Sequence, residues 1–357
     1  MVDRLVVDIL VVGLGPAGAC AAMSAALCGA NTLAIDRKSK AGYPVQCAEF
    51  IPKMMGAEVA GLSDIIKQPI VSMDTFIEHE EPVTMENFPG HMISRGEFDN
   101  KLVVRAQESG ADCRFGLSIS HIDDDGVAYL SNGDQVKADV IIGADGPRSK
   151  VGQAIGQVNT ELLETRQMTV ALLKPHSATD IFLSNEISGG YAWLFPKGDL
   201  ANIGLGLIPQ EKSKLKSVLE NLHSQLISQG RVGVDVKGYT GGAIPVGGML
   251  GTSGYKGEVL ILLAGDAAGL TNPITGAGIN AAVMSGQLAG EAGAQWCEGD
   301  VDAIVEYEDE LEALFGRSLK HAVKRREEQM SCLVNNQDLS YEEMKKVWIS
   351  FPEYWDS

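Results

Sequence analysis

The sequence has few positive charges. It contains 29 lysines and arginines against 47 aspartates and glutamates, which gives a formal net charge of -18 over 357 residues. Nucleic-acid phosphates would repel such a surface, so we expect no nucleic-acid partner. The same charge disfavours electrostatic docking on anionic lipids. Any peripheral membrane contact would therefore have to be apolar and local.

Cysteine and histidine motifs are missing. The six histidines are scattered without the spacing of metal ligands, and the six cysteines form no C-x-x-C motif. The cysteines stand at positions 20, 28, 47, 113, 297 and 332. We therefore expect neither a disulfide framework nor a metal site. Cys20 and Cys28 fall on the predicted first helix, and we expect both in the core.

Long apolar runs are missing as well. No uninterrupted apolar stretch reaches about 20 residues, so the sequence predicts no helix that spans a bilayer. Arg4 and the apolar residues 6–12 superficially look like a signal peptide, but Asp8 and the glycine turn at 13–18 interrupt that pattern. We interpret this stretch as the first strand and helix. The expected location is cytoplasmic, at most peripheral to a membrane.

Glycine, in contrast, is abundant. The chain has 41 glycines among its 357 residues, a larger share than the usual ~7%. The additional glycines lie at turns that follow apolar runs. The first such turn has the spacing G-x-G-x-x-G and follows the apolar residues 5–10, and an acid, Asp36, ends the next apolar run at 32–35. This order predicts a strand, a turn, a helix and a second strand, the arrangement that binds a dinucleotide.

Each position of this fingerprint has a physical role. Gly13 permits a tight turn, Gly15 lets the backbone approach a pyrophosphate, and Gly18 lets the helix pack closely on the sheet. The pyrophosphate would lie on the unpaired amides at the helix N-terminus. Asp36 would accept hydrogen bonds from the adenosine ribose hydroxyls.

Two later junctions have the same character. The apolar residues 139–142 lead into Gly143-Ala144-Asp145-Gly146, and residues 258–264 lead into a glycine-rich segment from Gly265 to Gly278. Three such junctions in this order resemble the FAD-dependent oxidoreductases of the glutathione-reductase-like superfamily, in the p-hydroxybenzoate hydroxylase branch. The resemblance implies that FAD is the cofactor and that Asp266 binds its ribityl chain. It also implies a helix near Gly276 whose amides face the flavin N1 and C2 carbonyl, where they would stabilise a reduced flavin.

The same resemblance supplies the remaining cofactor positions. Arg95, within the segment Ile93-Ser94-Arg95-Gly96-Glu97-Phe98-Asp99, matches the cofactor-contacting arginine of that branch. Taken together, the predicted cofactor-binding residues are Gly13, Gly15, Pro16, Ala17, Gly18, Asp36, Arg37, Cys47, Arg95, Asp145, Gly265, Asp266, Pro273, Gly276, Ala277 and Gly278.

Two short segments narrow the resemblance to the geranylgeranyl reductase family. Pro44-Val45-Gln46-Cys47-Ala48-Glu49-Phe50 is similar to the family's Pro-x-x-Cys-Gly-Glu-Gly loop, although Ala48 and Phe50 stand where the family has glycines. Residues 191–198, Tyr-Ala-Trp-Leu-Phe-Pro-Lys-Gly, match its Tyr-x-Trp-x-Phe-Pro-x-Gly pattern at every fixed position. The resemblance implies that the cysteine loop lies near the flavin ring and that the aromatic motif lines a lipid cavity.

The candidate catalytic residues are Cys47 and Glu49. Reduction of an isolated alkene by hydride requires a proton at the opposite carbon, which Cys47 could donate, or Cys47 could only shape the site. Glu49 could orient the loop or share a proton. The candidate substrate-binding residues Tyr191, Trp193 and Phe195 alternate along a predicted strand, so we expect them on one face, where a long hydrocarbon could bind.

The predicted fold is α/β. We expect a Rossmann-like FAD-binding domain, a mainly antiparallel β-sheet substrate domain and a helical C-terminal tail. The expected FAD-binding segments are 1–72, 93–150 and 251–298, the substrate segments are 73–92 and 151–250, and the tail is 299–357. Turn signals at 123–126 and 131–134 predict a small meander, and residues 212–229 have an amphipathic helical pattern.

The function predicted from these features is FAD-dependent reduction of double bonds in a long isoprenoid lipid, with hydride from flavin N5. Two alternatives remain open at this point: a flavoprotein monooxygenase acting on an apolar or aromatic substrate, and a flavin protein that binds quinone or lipid and transfers electrons. Only one dinucleotide fingerprint is present and FAD takes it, so we expect an external electron donor, either NAD(P)H or a redox protein.

Overall fold

The computed structural model describes residues 4–53, 64–335 and 337–356. The strands are β1 (Arg4–Val12), β2 (Thr32–Asp36), β3 (Phe50–Pro52), β4 (Ile66–Ile70), β5 (Ser72–Ile77), β6 (Val83–Met85), β7 (Gly90–Ile93), β8 (Asp112–Phe115), β9 (Ile119–Ile122), β10 (Ala128–Leu130), β11 (Gln135–Gly143), β12 (Leu162–Leu172), β13 (Ala178–Leu183), β14 (Ala192–Lys197), β15 (Leu200–Leu207), β16 (Val232–Thr240), β17 (Ala243–Pro245), β18 (Ser253–Lys256) and β19 (Val259–Leu263). The α-helices are α1 (Pro16–Leu27), α2 (Arg95–Glu108), α3 (Lys150–Ala154), α4 (Leu215–Ser228), α5 (Ile279–Cys297), α6 (Ala303–Leu311), α7 (Arg317–Val334), α8 (Tyr341–Lys346) and α9 (Pro352–Trp355).

The chain divides into two compact units. The first unit comprises residues 1–44, 96–161 and 245–321, and the second comprises 45–95, 162–244 and 322–357. Residues 45–53 and 64–72, which the sequence analysis assigned to the FAD-binding domain, group with the second unit, where β3 and β4 both pair with β7. The last residues of the chain also divide between the two units.

The first unit contains an eight-stranded sheet. Its main order is β18-β19-β11-β1-β2-β8, and β9 and β10 form a meander joined to β11. The neighbours β19-β11-β1-β2-β8 are parallel. Parallel strands are covered on both faces, which explains the unbroken apolar runs: all five residues of β19 are buried, as are the last four of β1. The predicted Rossmann-like fold and meander are confirmed.

Helices α1 and α5 pack closely in this unit because glycines remove the side chains between them. A Cβ on Gly286 would lie 2.1 Å from the Ala17 carbonyl oxygen, and one on Gly290 would lie 2.3 Å from the Ala21 carbonyl oxygen. Cys20 on α1 is buried, as predicted. Cys28 follows the end of the helix and is exposed, so its predicted core position is wrong.

The second unit contains a sheet in the order β16-β12-β15-β14-β13-β5-β6, with β17 paired to β12. The pairs along this order are antiparallel except for the parallel pair of β13 and β5. One face carries Met168, Leu194 and Ile203, which belong to a buried cluster that includes Leu219 and Leu226 of α4. Because side chains alternate along a strand, the residues between these apolar positions lie on the opposite face. We call that opposite face of β12, β14, β15, β13 and β5 the open face.

A three-stranded sheet, β3-β7-β4, and the C-terminal segment complete the second unit. Trp348, Phe351 and Tyr354 of this segment are buried, whereas Trp355 is exposed. Helix α8 begins with a capping box in which Ser340 accepts from the Glu343 amide and Glu343 accepts from the Ser340 amide. Within the described residues, none of the helices has the length and apolar character needed to cross a membrane.

Candidate functional site

The glycine turn joins β1 to α1 in the first unit. The Gly13 amide donates to the Ile35 carbonyl, and the helix begins at Pro16 with Gly15 as its N-cap. No side chain caps this N-terminus and no acid lies in its first turn. The first amides of α1 are therefore available to an anion, as the predicted pyrophosphate site requires.

Three glycines in this turn serve two different purposes. A Cβ on Gly13 would lie 2.2 Å from the Ala144 carbonyl oxygen, and one on Gly18 would lie 1.7 Å from the Gly13 carbonyl oxygen. Both positions exclude a side chain because protein backbone fills the space. A Cβ on Gly15 would meet no atom of the described residues within 4 Å. Gly15 therefore keeps a space clear that the protein itself does not fill, which fits the approach of a pyrophosphate.

Asp36 closes the turn from the end of β2. Its carboxylate is buried and accepts the Leu14 amide at 2.8 Å and the Lys38 amide at 2.7 Å. An ionised carboxylate has about four acceptor positions, so Asp36 retains capacity for ribose hydroxyls. Arg37, the next residue, is exposed. These residues fit the adenosine end of FAD.

Asp145 lies after β11 and is engaged by the short helix α3. Its carboxylate accepts the Ser149 hydroxyl at 2.5 Å and the Lys150 amide at 2.7 Å, while burial raises the pKa of the carboxyl group. These contacts show Asp145 fixing the start of α3. Its predicted contact with the cofactor stays a prediction.

Asp266 lies after β19 and faces the start of α5. Its Oδ1 accepts the Thr271 hydroxyl at 2.6 Å, and a Cβ on Gly278 would lie 3.3 Å from the same oxygen. Gly278 is the N-cap of the 19-residue helix α5, which has no side-chain cap and no acid in its first turn. A carboxylate and a free helix N-terminus thus lie together, as the predicted ribityl and flavin contacts require.

The loop that leads to this helix is a compact turn. Gly276 has a φ of +68°, and its amide donates to the Asn272 carbonyl. Gly265 also has a positive φ, +60°, and a Cβ there would approach that of Ala17 at 3.0 Å. Pro273 is buried, whereas Ala277 is exposed. The predicted residues of both glycine segments are therefore grouped in the first unit.

Sequence reasoning missed the side chains that hold these glycine segments. The Ser285 hydroxyl of α5 accepts the Gly265 amide at 3.0 Å, and the Asn159 side-chain amide donates to the carbonyl oxygens of Asp266 and Pro147. Ser285 is a polar residue on the buried side of a helix, which is a signal that could have been noticed. Asn159 lies in a loop without any motif and gave no such signal.

The cysteine loop, residues 45–50, lies in the second unit, and hydrogen bonds to other segments of that unit fix its backbone. The carbonyl oxygens of Val45, Cys47 and Ala48 accept hydrogen bonds from Thr240, Gln167 and Asn202, respectively. The Gln46 side chain donates to the Gly241 carbonyl. The Cys47 thiol is half-buried, and its Sγ accepts the Glu49 amide at 3.2 Å.

Glu49 is the centre of a buried polar network. Its Oε1 accepts the Arg95 amide at 3.0 Å, and its Oε2 accepts Lys197 Nζ at 2.6 Å and Asn202 Nδ2 at 3.0 Å. The backbone has a φ of +71°, a conformation that non-glycine residues adopt rarely and that here carries a charged side chain into the network. Three donors fix the carboxylate, so this geometry favours a positioning role for Glu49.

The predicted aromatic residues form a continuous row of rings on the open face. The ring centroids of Tyr191 and Trp193 are 5.7 Å apart, and those of Trp193 and Phe195 are 6.3 Å apart. Beyond Phe195 the row continues to Phe50 at 6.1 Å, and it begins with Trp348, 4.7 Å from Tyr191. The expectation that the three residues share a face agrees with this arrangement.

The indole of Trp193 crosses the sheet toward Gln167. Gly204 of β15 is the register partner of both residues, and a Cβ on Gly204 would lie 2.3 Å from the Trp193 ring. Trp193 Nε1 donates to Gln167 Oε1 at 3.0 Å, while Gln167 Nε2 donates to the Cys47 carbonyl at 3.2 Å. The aromatic row and the cysteine loop are therefore connected through one amide side chain.

Sequence reasoning missed the polar residues that hold the cysteine loop. Gln167 and Asn202 are almost fully buried, and Lys197 was noticed only as part of a motif. Buried polar residues within otherwise apolar strands are uncommon and are hydrogen-bonded, which is the signal that could have found them. Burial also raises the pKa of the Tyr191 phenol, and the neighbouring Cys47 contributes to this shift.

A separate cluster lies on the other face of the same sheet. Asp74, His176 and Asp180 bring potential metal-ligand atoms within 4.8 Å of one another beside a cavity of about 360 Å³. Asp180 is fully buried, and its two oxygens contact His176 Nε2 and Arg231. An arginine on the same carboxylate opposes a cation there, so these contacts form an internal ion-pair group.

Comparison with known proteins supports the features described above. Residues 6–310 match the family model described as FAD binding domain. The chain is 33% identical over 353 residues to digeranylgeranylglycerophospholipid reductase 2 of Methanopyrus kandleri, covering 89% of this chain and 85% of the relative. It is 35% identical over 352 residues to digeranylgeranylglycerophospholipid reductase of Methanocella arvoryzae, covering 90% of this chain and 86% of the relative.

Solved structures show the same fold. A geranylgeranyl bacteriochlorophyll reductase-like protein from Thermoplasma acidophilum superimposes with a TM-score of 0.82 at 24% identity, covering 96% of each chain. PqsL of Pseudomonas aeruginosa, described as a probable FAD-dependent monooxygenase, superimposes with a TM-score of 0.67 at 16% identity, covering 92% of this chain and 100% of that one. At these identities the likeness concerns the fold.

These matches define the class first: the protein is an FAD-dependent oxidoreductase, with FAD as its cofactor. Within that class, the chain belongs to the FAD binding domain family and, inside it, to the geranylgeranyl reductase family. The resemblance stated from the sequence motifs is confirmed.

Proposed function

We propose that this protein is a reductase that uses FAD to saturate C=C double bonds in a long isoprenoid lipid of the geranylgeranyl type. The observation that carries the proposal is the row of aromatic rings on the open face, connected to the cysteine loop through Gln167. Its relatives, which are named digeranylgeranylglycerophospholipid reductases, support the substrate class.

In this proposal the first unit binds the cofactor. The amides at the start of α1 would hold the pyrophosphate, Asp36 the adenosine ribose and Asp266 the ribityl chain, while the N-terminus of α5 would stabilise the reduced flavin ring. Bound FAD, once reduced, supplies a hydride from its N5 atom. Its electrons come from an external donor, either NAD(P)H or a redox protein.

The second unit would bind the lipid and supply the proton. Aromatic rings offer a large apolar surface, and each buried CH2 group contributes about 0.8 kcal/mol, so a chain of roughly 20 carbons needs no charged anchor. Cys47 Sγ would donate the proton to the carbon opposite the hydride. Glu49 would keep the loop in place through Lys197, Asn202 and the Arg95 amide.

Tyr191 would contribute as a neutral phenol. A tyrosine is neutral at pH 7, and burial raises the pKa of this hydroxyl group further, so the ring remains compatible with an apolar chain. Peripheral contact with a membrane, which would deliver such a lipid, remains a prediction of the sequence.

The reaction is tested with reduced holoenzyme and a geranylgeranyl lipid under anaerobic conditions. We expect products heavier by two mass units for each bond reduced, with reoxidation of the flavin. Oxygen incorporation under air, without loss of alkene in its absence, would instead identify a monooxygenase. Reoxidation by a quinone but not by the lipid would identify an electron-transfer protein.

The aromatic row is tested separately with Trp193→Ala. We expect this change to weaken lipid binding about tenfold or more, because one of the two indole rings of the row is removed, while FAD affinity changes by less than about twofold. If the affinities for lipid and for FAD fell equally, the aromatic row would not be the lipid-binding surface.

A further inference from the structure

Trp348 lies between α8 and α9 at the end of the aromatic row. Its side chain is 2% exposed, and its ring centroid lies 4.7 Å from that of Tyr191. Among the described residues, no atom accepts a hydrogen bond from Trp348 Nε1. A buried polar donor without an acceptor therefore lies against the proposed lipid site.

Such a donor is unusual in a folded protein. An indole N–H can only donate, and buried donors nearly always have an acceptor. Two other tryptophans of the second unit follow this rule: Trp193 Nε1 donates to Gln167, and the exposed Trp355 donates to the Ile349 carbonyl at 3.0 Å. The Trp348 indole differs because the described part of the chain offers it no acceptor.

The segment that carries Trp348 is fixed on both sides. The Ser350 hydroxyl lies 2.9 Å from the Thr75 hydroxyl on β5, and Leu339 exchanges two hydrogen bonds with the Asn185 side chain. Thr75 is the register partner of Ile181, which in turn is the register partner of Trp193. The segment is thus bound to the open face, and the indole has little freedom to move toward another acceptor.

We propose that Trp348 Nε1 forms a polar subsite that donates a hydrogen bond to an oxygen atom of the bound isoprenoid lipid. This inference rests on the proposed function. A polyprenyl chain has no acceptor atoms, so the oxygen belongs to the head of the lipid: a hydroxyl, an ether or a phosphate ester. The head would therefore lie at the Tyr191 end of the row, with the chain directed toward Phe195 and Phe50.

The test compares lipids that differ only in their oxygen. Oxidised holoenzyme is titrated with geranylgeraniol, geranylgeranyl phosphate and the corresponding oxygen-free hydrocarbon, and Kd is measured from the change in flavin fluorescence. In wild type, we expect the alcohol to bind several-fold more tightly than the hydrocarbon. Trp348→Phe keeps an aromatic ring and removes the N–H. We expect it to weaken binding of the oxygenated lipids about 5- to 10-fold and that of the hydrocarbon less than about twofold.

Trp355→Phe is the matched control, because it makes the same change in the same segment at a donor that already has an acceptor. We expect it to leave all three Kd values unchanged. If Trp348→Phe weakens binding of both oxygenated lipids, the acceptor is the oxygen on the first carbon of the chain. If it weakens binding of the phosphate alone, the acceptor is a phosphate oxygen. Either result supports the subsite.

The subsite is overturned if Trp348→Phe weakens binding of the hydrocarbon as much as binding of the oxygenated lipids, or if it weakens binding of none of the three lipids. It is also overturned if wild type binds neither oxygenated lipid more tightly than the hydrocarbon, a result that needs no variant to fold. Failure of the proposed reaction has a different signature: the lipids bind with the expected preference, but mass spectrometry finds no reduced product.

Discussion

The glycine turn of the first unit and the cysteine loop of the second hold their shapes by opposite means. The glycine turn depends on the absence of side chains, because backbone occupies the positions where Cβ atoms of Gly13 and Gly18 would lie. The cysteine loop depends on side chains from distant strands. Its central carboxylate, Glu49, is bound by Lys197, which is 148 residues further along the chain.

This difference determines how each loop responds to substitution. A turn built from backbone tolerates no added atoms where the chain is close-packed, yet one position in it, Gly15, is bordered by open space. A loop held by side chains instead distributes its stability over several hydrogen bonds. We therefore expect single large effects in the first loop and smaller, coupled effects in the second.

The largest effect is expected for Gly15→Val. A Cβ atom there would meet no atom of the described residues within 4 Å, and the Gly15 backbone has a φ of -74°, which valine adopts without strain. The apo protein should therefore fold with an unchanged Tm. The branched side chain would occupy the space of the pyrophosphate, so we expect FAD affinity to fall about a thousandfold, about 4 kcal/mol. Thermal unfolding of the apo protein measures its Tm, and calorimetric titration measures its FAD affinity.

Gly18→Ala is the control for this prediction. Its Cβ would lie 1.7 Å from the Gly13 carbonyl oxygen, so we expect a loss of folding stability even without FAD. Tight FAD binding by Gly15→Val would refute the assignment of the open space to the cofactor. A lowered Tm of the apo Gly15→Val protein would show that Gly15, like Gly18, is required for packing within the protein itself.

The next largest effect is expected for Cys47→Ala. A general acid contributes roughly 10²- to 10⁴-fold to a rate, so lipid-dependent reoxidation of the flavin should slow by at least about a hundredfold while FAD stays bound. Cys20→Ala is the matched control, because Cys20 is buried in α1 and burial raises the pKa of its thiol to about 12. Stopped-flow absorbance measures the rate, and a change of less than about threefold in Cys47→Ala would assign this cysteine to packing.

The contrast between the two loops also explains how far the sequence could be interpreted. The glycine turn was predictable because its motif residues, from Gly13 to Asp36, are close together in the sequence and follow a fixed spacing. The shared face of Tyr191, Trp193 and Phe195 was predictable because alternation is a local property of a strand. The partners of Glu49 were not, because strand register, which brings Asn202 and Lys197 to the loop, arises only from the complete sheet. The position of Trp348 on Tyr191 has the same origin.

A smaller and coupled effect is expected for the pair of Glu49 and Lys197. Both side chains are mostly buried, so removal of one partner leaves a poorly solvated charge. We expect Glu49→Gln and Lys197→Met each to destabilise the protein by about 2 to 3 kcal/mol, less than for a fully buried pair because Lys197 retains some exposure.

The double variant should be more stable than the sum of the two single changes predicts, by about 1 to 3 kcal/mol. Urea unfolding of the four proteins measures this coupling. Additive free energies of unfolding would mean that the ion pair does not hold the loop and that the hydrogen bonds from Asn202 and the Arg95 amide are sufficient.

The smallest effect is expected for Trp193→Phe, which tests whether a distant side chain influences the cysteine loop. The change removes the N–H that donates to Gln167, and Gln167 in turn binds the Cys47 carbonyl. With one fewer contact, Gln167 would position the loop less well, so we expect the rate of lipid reduction to fall about 3- to 5-fold, as for loss of one neutral hydrogen bond. FAD affinity should stay within about twofold of wild type. Trp296→Phe makes the same change in the first unit, where the ring packs on Tyr255, and should leave the rate unchanged. If both variants slow the reaction equally, the hydrogen bonds from Trp193 through Gln167 to the Cys47 carbonyl do not hold the cysteine loop.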